Sequence, residues 1–147
     1  KTFFSWLYNP ESNVISNSVY DRDALLDKFY ENETIKTSFG REIKVNNFKA
    51  LNYLIQSTTA DLVNDRAVKI DAFLKDKKSF VSHIVHDEVI IDLHDDDRYL
   101  VPEIEDMFSN NKLDCFKTNI NAGKNYYDLE TLKIWFQLLV LAMLLVE

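Results

Sequence analysis

The chain has 147 residues, with 24 Asp and Glu against 17 Lys and Arg and a formal net charge of -7. That length supports one domain whose core needs neither disulfides nor a structural metal, and the lone Cys115 excludes a disulfide framework. With 46% hydrophobic and 28% charged residues and only two Gly and two Pro, the composition excludes a disordered or fibrous chain; the acidic balance argues against nucleic-acid binding by simple charge attraction.

Lys1 to Tyr8 is apolar and aromatic, without the charged flank and small-residue cleavage site of a signal peptide. Asn9-Pro10 ends any helix there, because a residue before Pro is pushed out of the α region. After a loop to about Asn17, Ser18-x-x-Asp21 has the form of a capping box, and Val19, Leu25, Leu26, Phe29 and Tyr30 recur at helical spacing, predicting a helix to about Glu31. Thr34 to Phe39 and Glu42 to Val45 read as a hairpin around Gly40. Leu51, Leu54, Ile55, Leu62, Val63, Ala67, Ile70 and Phe73 predict a long helix from Phe48 to about Leu74, with Asp65 and Lys69 as a surface ion pair.

Ser79 to Val85 and Glu88 to Leu93 are rich in β-branched residues and are separated by His86-Asp87, which predicts two antiparallel strands joined by a two-residue turn. Pro102 suits the first position of a helix to about Ser109, Cys115 to Asn121 reads as a third strand closed by Gly123, and a final helix begins near Asp128. Ile134 to Val146 is apolar all round, with Gln137 its only strongly polar residue. It falls short of the roughly 18–20 residues that span a bilayer, so no membrane partner is expected. It reads as a terminal helix buried against protein, with a truncated membrane segment or an artefactual tail as the other readings. The order of elements predicts an α+β fold, an antiparallel sheet covered by helices on one face.

Three constellations carry chemistry. Val85-His86-Asp87-Glu88-Val89 sets two adjacent carboxylates at a tight turn, hard oxygen ligands suited to Mg²⁺, although a solvated turn has the same composition. On the long helix Asn52, Gln56 and Thr59 form one polar stripe, whose amides can donate and accept at base edges or simply face solvent. His83, His86 and His94 lack the spacing and the further ligand of a tetrahedral zinc site, and His94-Asp95-Asp96-Asp97 lacks the alternation and the Gly of a calcium loop.

Taken together, the motifs fall in the order and approximate spacing of the C-terminal half of family A DNA polymerases, the bacterial polymerase I and phage replicase type. Phe4-x-x-x-Tyr8 resembles the end of the family's fingers helix. Thr37-Ser38-Phe39-Gly40-Arg41 is similar to its Thr-x-x-Gly-Arg hairpin, and residues 50–61 resemble the helix that reads Asn-x-x-x-Gln, then small residues, then Ala-Asp. Val85-His86-Asp87-Glu88 matches the palm motif that supplies a catalytic aspartate, and Gly123-Lys124-Asn125-Tyr126 resembles the Gly-x-Asn-aromatic near the family's C-terminus. The chain departs from the pattern at Lys1, which stands one residue too close to Phe4, at Asn9 and Ser57 in place of Gly, and at Phe48 in place of Arg. No counterpart of the first palm motif, with the other metal-binding aspartate, is present.

The resemblance implies template-directed DNA synthesis: nucleotidyl transfer from a dNTP to a primer 3′-hydroxyl, assisted by two Mg²⁺ ions. It implies a palm sheet whose two-strand hairpin carries the metal site, packed against long helices, with part of the fingers. Residues 1–132 would be the fingers and palm portion, incomplete at the N-terminus and inactive alone, and 133–147 an apolar extension. Asp87 and Glu88 would be catalytic and metal-binding; Phe4 and Tyr8 would stack by the incoming nucleotide; Arg41, Asn52, Gln56 and His86 would contact DNA. The partners implied are primer-template DNA, dNTP and the upstream part of the polymerase, in the cytoplasm of a bacterial or phage-infected cell. The rival reading is a non-catalytic remnant of that fold which binds DNA or protein.

Overall fold

The computed structural model of the chain describes Leu7 and residues 21–132. Phe4, Tyr8, the Ser18 end of the expected capping box and the apolar segment 133–147 lie outside the described residues. The chain divides into two compact units, residues 1–95 and 96–147.

In the first unit, helix α1 (Arg22–Phe29) is capped by Asp21, whose side chain accepts from the Ala24 amide at 3.0 Å. The helix therefore starts four residues after Ser18, and Asp21 is its cap, not the third helical residue. Strands β1 (Tyr30–Glu31), β2 (Thr34–Lys36) and β3 (Glu42–Lys44) form an antiparallel sheet with Ile35 opposite both Tyr30 and Ile43. Gly40, at the bend between β2 and β3, has φ +89°, a conformation a side chain would strain. Helix α2 (Asn47–Leu74) follows, 28 residues long, its first turn closed by the Asn46 side chain on the Lys49 amide.

The hydrophobic core of this unit joins Leu7, Ile35, Val45, Ala50, Leu51 and Leu54, with Leu25, Leu26, Phe29, Tyr30, Ile43 and Ile55 packed around it. The second half of α2 buries a different set: Val63, Arg66, Ala67, Ile70 and Leu74. Leu54 and Val63 are nine residues apart, about two and a half turns, so they lie on opposite sides of one continuous helix. The long helix is as the apolar repeat predicts, but its buried residues do not keep to one side: α2 exchanges its buried face near its middle.

Strands β4 (Phe80–Val85) and β5 (Glu88–Asp92) pair antiparallel with Val85 opposite Glu88, and the register slips between Val81 and His83 so that Ser82 bulges. Both strands pack against α2. The base of this hairpin is closed by the buried Ser79 hydroxyl, which accepts from the His94 amide at 2.9 Å.

In the second unit, a 3-10 turn (Asp95–Leu100, which begins one residue earlier) leads into α3 (Val101–Ser109), with Pro102 in its first turn. The acidic run Asp95-Asp96-Asp97, which lacks a calcium-loop pattern, is not simply a solvated turn but lies in this 3-10 turn with Asp97 buried. The strand expected over Cys115 to Asn121 reduces to a single bridge between Asn110 and Cys115. At its start the Cys115 amide donates to Asp114 Oδ1 at 2.7 Å, and the Phe116 amide donates to the Ser109 carbonyl at 2.9 Å. Strands β6 (Asn121–Ala122) and β7 (Glu130–Thr131) pair instead, around a 3-10 turn at Tyr126–Asp128. A Cβ on Gly123 would fall 2.4 Å from the Asp128 carbonyl oxygen, so the turn needs glycine there. The helix expected from Asp128 is replaced by β7 as far as residue 132.

The fold class is α+β, but the described residues form three small antiparallel sheets of three, two and two strands in place of one covered sheet. In the first unit α2 lies in sequence between the first sheet and the β4–β5 hairpin and packs against both.

Candidate nucleic-acid and metal site

Helix α2 organises the candidate residues. Asn52, Gln56 and Thr59 are spaced by four and three, and Val63, Ala67, Ile70 and Leu74 continue the same row. The polar stripe therefore lies on the side of the helix that becomes buried in its second half. Gln56 Nε2 donates to Asn52 Oδ1 at 3.2 Å, which leaves Asn52 Nδ2 as a donor and Gln56 Oε1 as an acceptor toward solvent. The Thr59 hydroxyl turns back onto the Ile55 carbonyl at 3.0 Å and adds little to the stripe.

The carboxylate turn is carried by the hairpin that packs on α2. Strand β4 starts six residues after Leu74, packs against the helix with β5, and spans about 20 Å. His86 has φ +54°, the positive value that two-residue hairpin turns demand of their first residue. His86, Asp87 and Glu88 are all exposed. The Asp87 carboxylate makes no hydrogen bond or ion pair among the described residues, so its oxygens are open to a cation. Mg²⁺ takes one or two carboxylates from protein when substrate phosphates and water fill the rest, and Asp87 supplies one such hard donor, with Glu88, which has a contact of its own, beside it. Among the described residues no group of three or more His, Cys, Asp or Glu converges on a metal position. His83 bonds Ser82 through Nδ1 at 2.6 Å, away from His86 in the turn and His94 beyond β5.

Arg41 is not a free surface cation. Its Nε pairs with Asp61 Oδ1 at 2.9 Å and its Nη2 donates to the Ser57 carbonyl at 3.0 Å. The other Asp61 oxygen, Oδ2, accepts from the buried Thr37 hydroxyl at 2.8 Å, and Thr37 Oγ1 in turn accepts from the amides of Phe39 and Arg41. The two stretches quoted for their polymerase-like motifs, residues 37–41 and 50–61, are thus joined by one polar network. Asp61 and Thr37 had no role assigned on sequence grounds. A signal existed: Ala50, Leu54, Ser57 and Asp61 form one row at spacings of four, three and four, so a carboxylate extends the face buried in the first half of the helix and needs partners.

Comparison with protein-family models, with curated proteins and with solved structures finds no match for this chain. No helix among the described residues is long and apolar enough to cross a membrane.

Proposed function

We propose that the chain is the palm portion of a family A-like DNA polymerase and takes part in nucleotidyl transfer from dNTP to a primer 3′-hydroxyl. The observation that carries this reading is the row along α2: a donor and acceptor pair, Asn52 and Gln56, continues the row of Val63, Ala67, Ile70 and Leu74 on the helix against which the Asp87 hairpin packs. An enzyme acting on a primer terminus needs this combination, sequence-blind contacts to the duplex beside a carboxylate that holds Mg²⁺.

Asn52 Nδ2 suits the minor-groove acceptors that every base pair presents, which positions a duplex without reading its sequence. Asp87, with Glu88 beside it, would hold Mg²⁺, which when bound acidifies the primer hydroxyl and neutralises the leaving pyrophosphate. Asp87 and Glu88 are exposed at the hairpin tip, and the exposed His86 imidazole would be available to the primer backbone. These residues hold one of the two aspartates such chemistry requires; the partner aspartate would come from elsewhere in the polypeptide. The net charge of -7 fits a piece whose duplex grip comes largely from other segments.

The test is primer extension with Mg²⁺. These 147 residues alone should not extend a primer, whereas the longer polypeptide encoded by the surrounding reading frame should, and Asp87→Ala in it should abolish extension while leaving DNA binding. Extension that survives Asp87→Ala rejects the assignment. A surrounding frame that binds duplex but carries no second aspartate strand identifies the non-catalytic remnant instead.

A further inference from the structure

Asp61 makes two bonds that no other residue of the candidate site duplicates. One carboxylate oxygen takes the Thr37 hydroxyl and the other takes Arg41 Nε, while Arg41 Nη2 reaches the Ser57 carbonyl one helical turn earlier. The Asp61 side chain is 14% exposed and that of Arg41 47%, so the carboxylate is enclosed while the guanidinium keeps an outer edge. Nη1 is the guanidinium nitrogen to which none of these bonds is made. Ser57 follows Gln56 directly, so the grip fixes Arg41 about a quarter to a third of a turn around the helix from the amide stripe.

We propose that Asp61 is a positioning residue for duplex binding: it clamps the 37–41 bend to α2 so that Arg41 and the Asn52–Gln56 pair meet a nucleic-acid backbone and its minor groove as one rigid unit. The ligand chemistry is a phosphodiester for the Arg41 outer edge, next to minor-groove acceptors for the amides. A guanidinium already held in place loses less side-chain entropy on binding a phosphate than a free one. This inference rests on the duplex-binding part of the proposed function, and it makes an unusual prediction of sign. Removing the Asp61 negative charge should strengthen DNA binding if only the overall field matters. It should weaken binding if Asp61 acts through Arg41.

The experiment measures the affinity of the full 147-residue chain, by anisotropy, for a labelled duplex with a recessed 3′ end across a low-salt series. Asp61→Asn and Arg41→Lys should each weaken binding about tenfold, and the salt slope should fall by about one in Asp61→Asn although Arg41 keeps its charge. The double variant should be no weaker than either single one, whereas Gln56→Ala should add its own loss to each. Arg41→Lys lies at an exposed position and keeps the charge, so it answers the question even if Asp61→Asn fails to fold. Unchanged or tighter binding by Asp61→Asn or by Arg41→Lys, with Asn52→Ala and Gln56→Ala still weakened, overturns the inference and leaves the proposed function standing. Absence of duplex binding by the unaltered chain even at the lowest salt overturns the inference, while the proposed function is decided separately by primer extension.

Discussion

Gln56 donates its amide to Asn52 at 3.2 Å across one turn of α2, so two side chains that bind solvent separately act as one bidentate surface group. Truncating either to Ala should leave the melting temperature nearly unchanged, since Gln56 is exposed and Asn52 only half-buried, and such substitutions fall within about 0.5 kcal/mol. Duplex affinity should fall in both, and by no more in the double variant than in the worse single one, because each loses the same paired surface. Losses that multiply would show that the amides act independently.

The base of the β4–β5 hairpin depends on one buried hydroxyl. Ser79→Ala leaves the His94 amide without the acceptor 2.9 Å away and should destabilise the chain by about 1 kcal/mol. The effect should be local: hydrogen exchange of the β4 and β5 amides should accelerate while that of α1 and β1–β3 stays as it was.

Much of this was legible in the residues, for identifiable reasons. The hairpins were predictable because Gly40 and His86-Asp87 punctuate β-branched runs, and α2 because its apolar residues recur densely. The exchange of faces in α2 was written in the same residues, in the nine-residue step from Leu54 to Val63, but a count of matches to one period absorbs a half-turn slip. The clamp on Asp61 joins residues 24 apart in sequence, and no local pattern encodes that pairing. At the start of the expected third strand Asp114 supplies the Cys115 amide with a side-chain partner, a competition that β-propensity does not count.

His86 tests the turn itself. A β-branched residue is poorly tolerated at φ +54°, so His86→Val should destabilise the hairpin by roughly 1 kcal/mol, whereas His86→Gly should be close to neutral because its relief of strain offsets its greater unfolded-state freedom. If both variants melt alike, the backbone of the turn does not set the position of Asp87.

The pH dependence of stability should expose Asp65. Its carboxyl is held below the ordinary carboxylate range chiefly by the Arg66 guanidinium, with Lys69 at 3.2 Å adding to the effect and partial burial opposing it. A depressed folded-state pKa means that the unfolded chain takes up the proton first as pH falls. The stabilisation is therefore present above the ordinary carboxylate pKa of about 3.9 and is lost as pH drops toward the folded value. Asp65→Asn should be less stable than the unaltered chain at about pH 6, and the gap should narrow at about pH 3. Urea midpoints at the two pH values measure it, and a constant gap would mean that the carboxylate charge is not what Arg66 uses.

The exchange of faces in α2 predicts that two equally buried aliphatic residues on the same helix fail in different ways. Leu54 packs with Ile35, Val45 and Ala50 in the core that joins α2 to the first sheet, whereas Ile70, 1% exposed, belongs to the half against which the hairpin returns. Truncation of either to Ala should cost about 2–4 kcal/mol, by loss of transfer energy plus a residual cavity. Sixteen residues, about 24 Å of helix, separate them, so the costs should add in the double variant. Their signatures should diverge in hydrogen exchange: Leu54→Ala should release the amides of β2 and β3 and slacken the Arg41 clamp, and Ile70→Ala those of β4 and β5. Duplex affinity should follow the first variant through Arg41, while Mg²⁺-dependent activity of the longer polypeptide should follow the second through Asp87. If both variants loosen the same strands, α2 buries one face throughout and the row linking Gln56 to the hairpin does not exist.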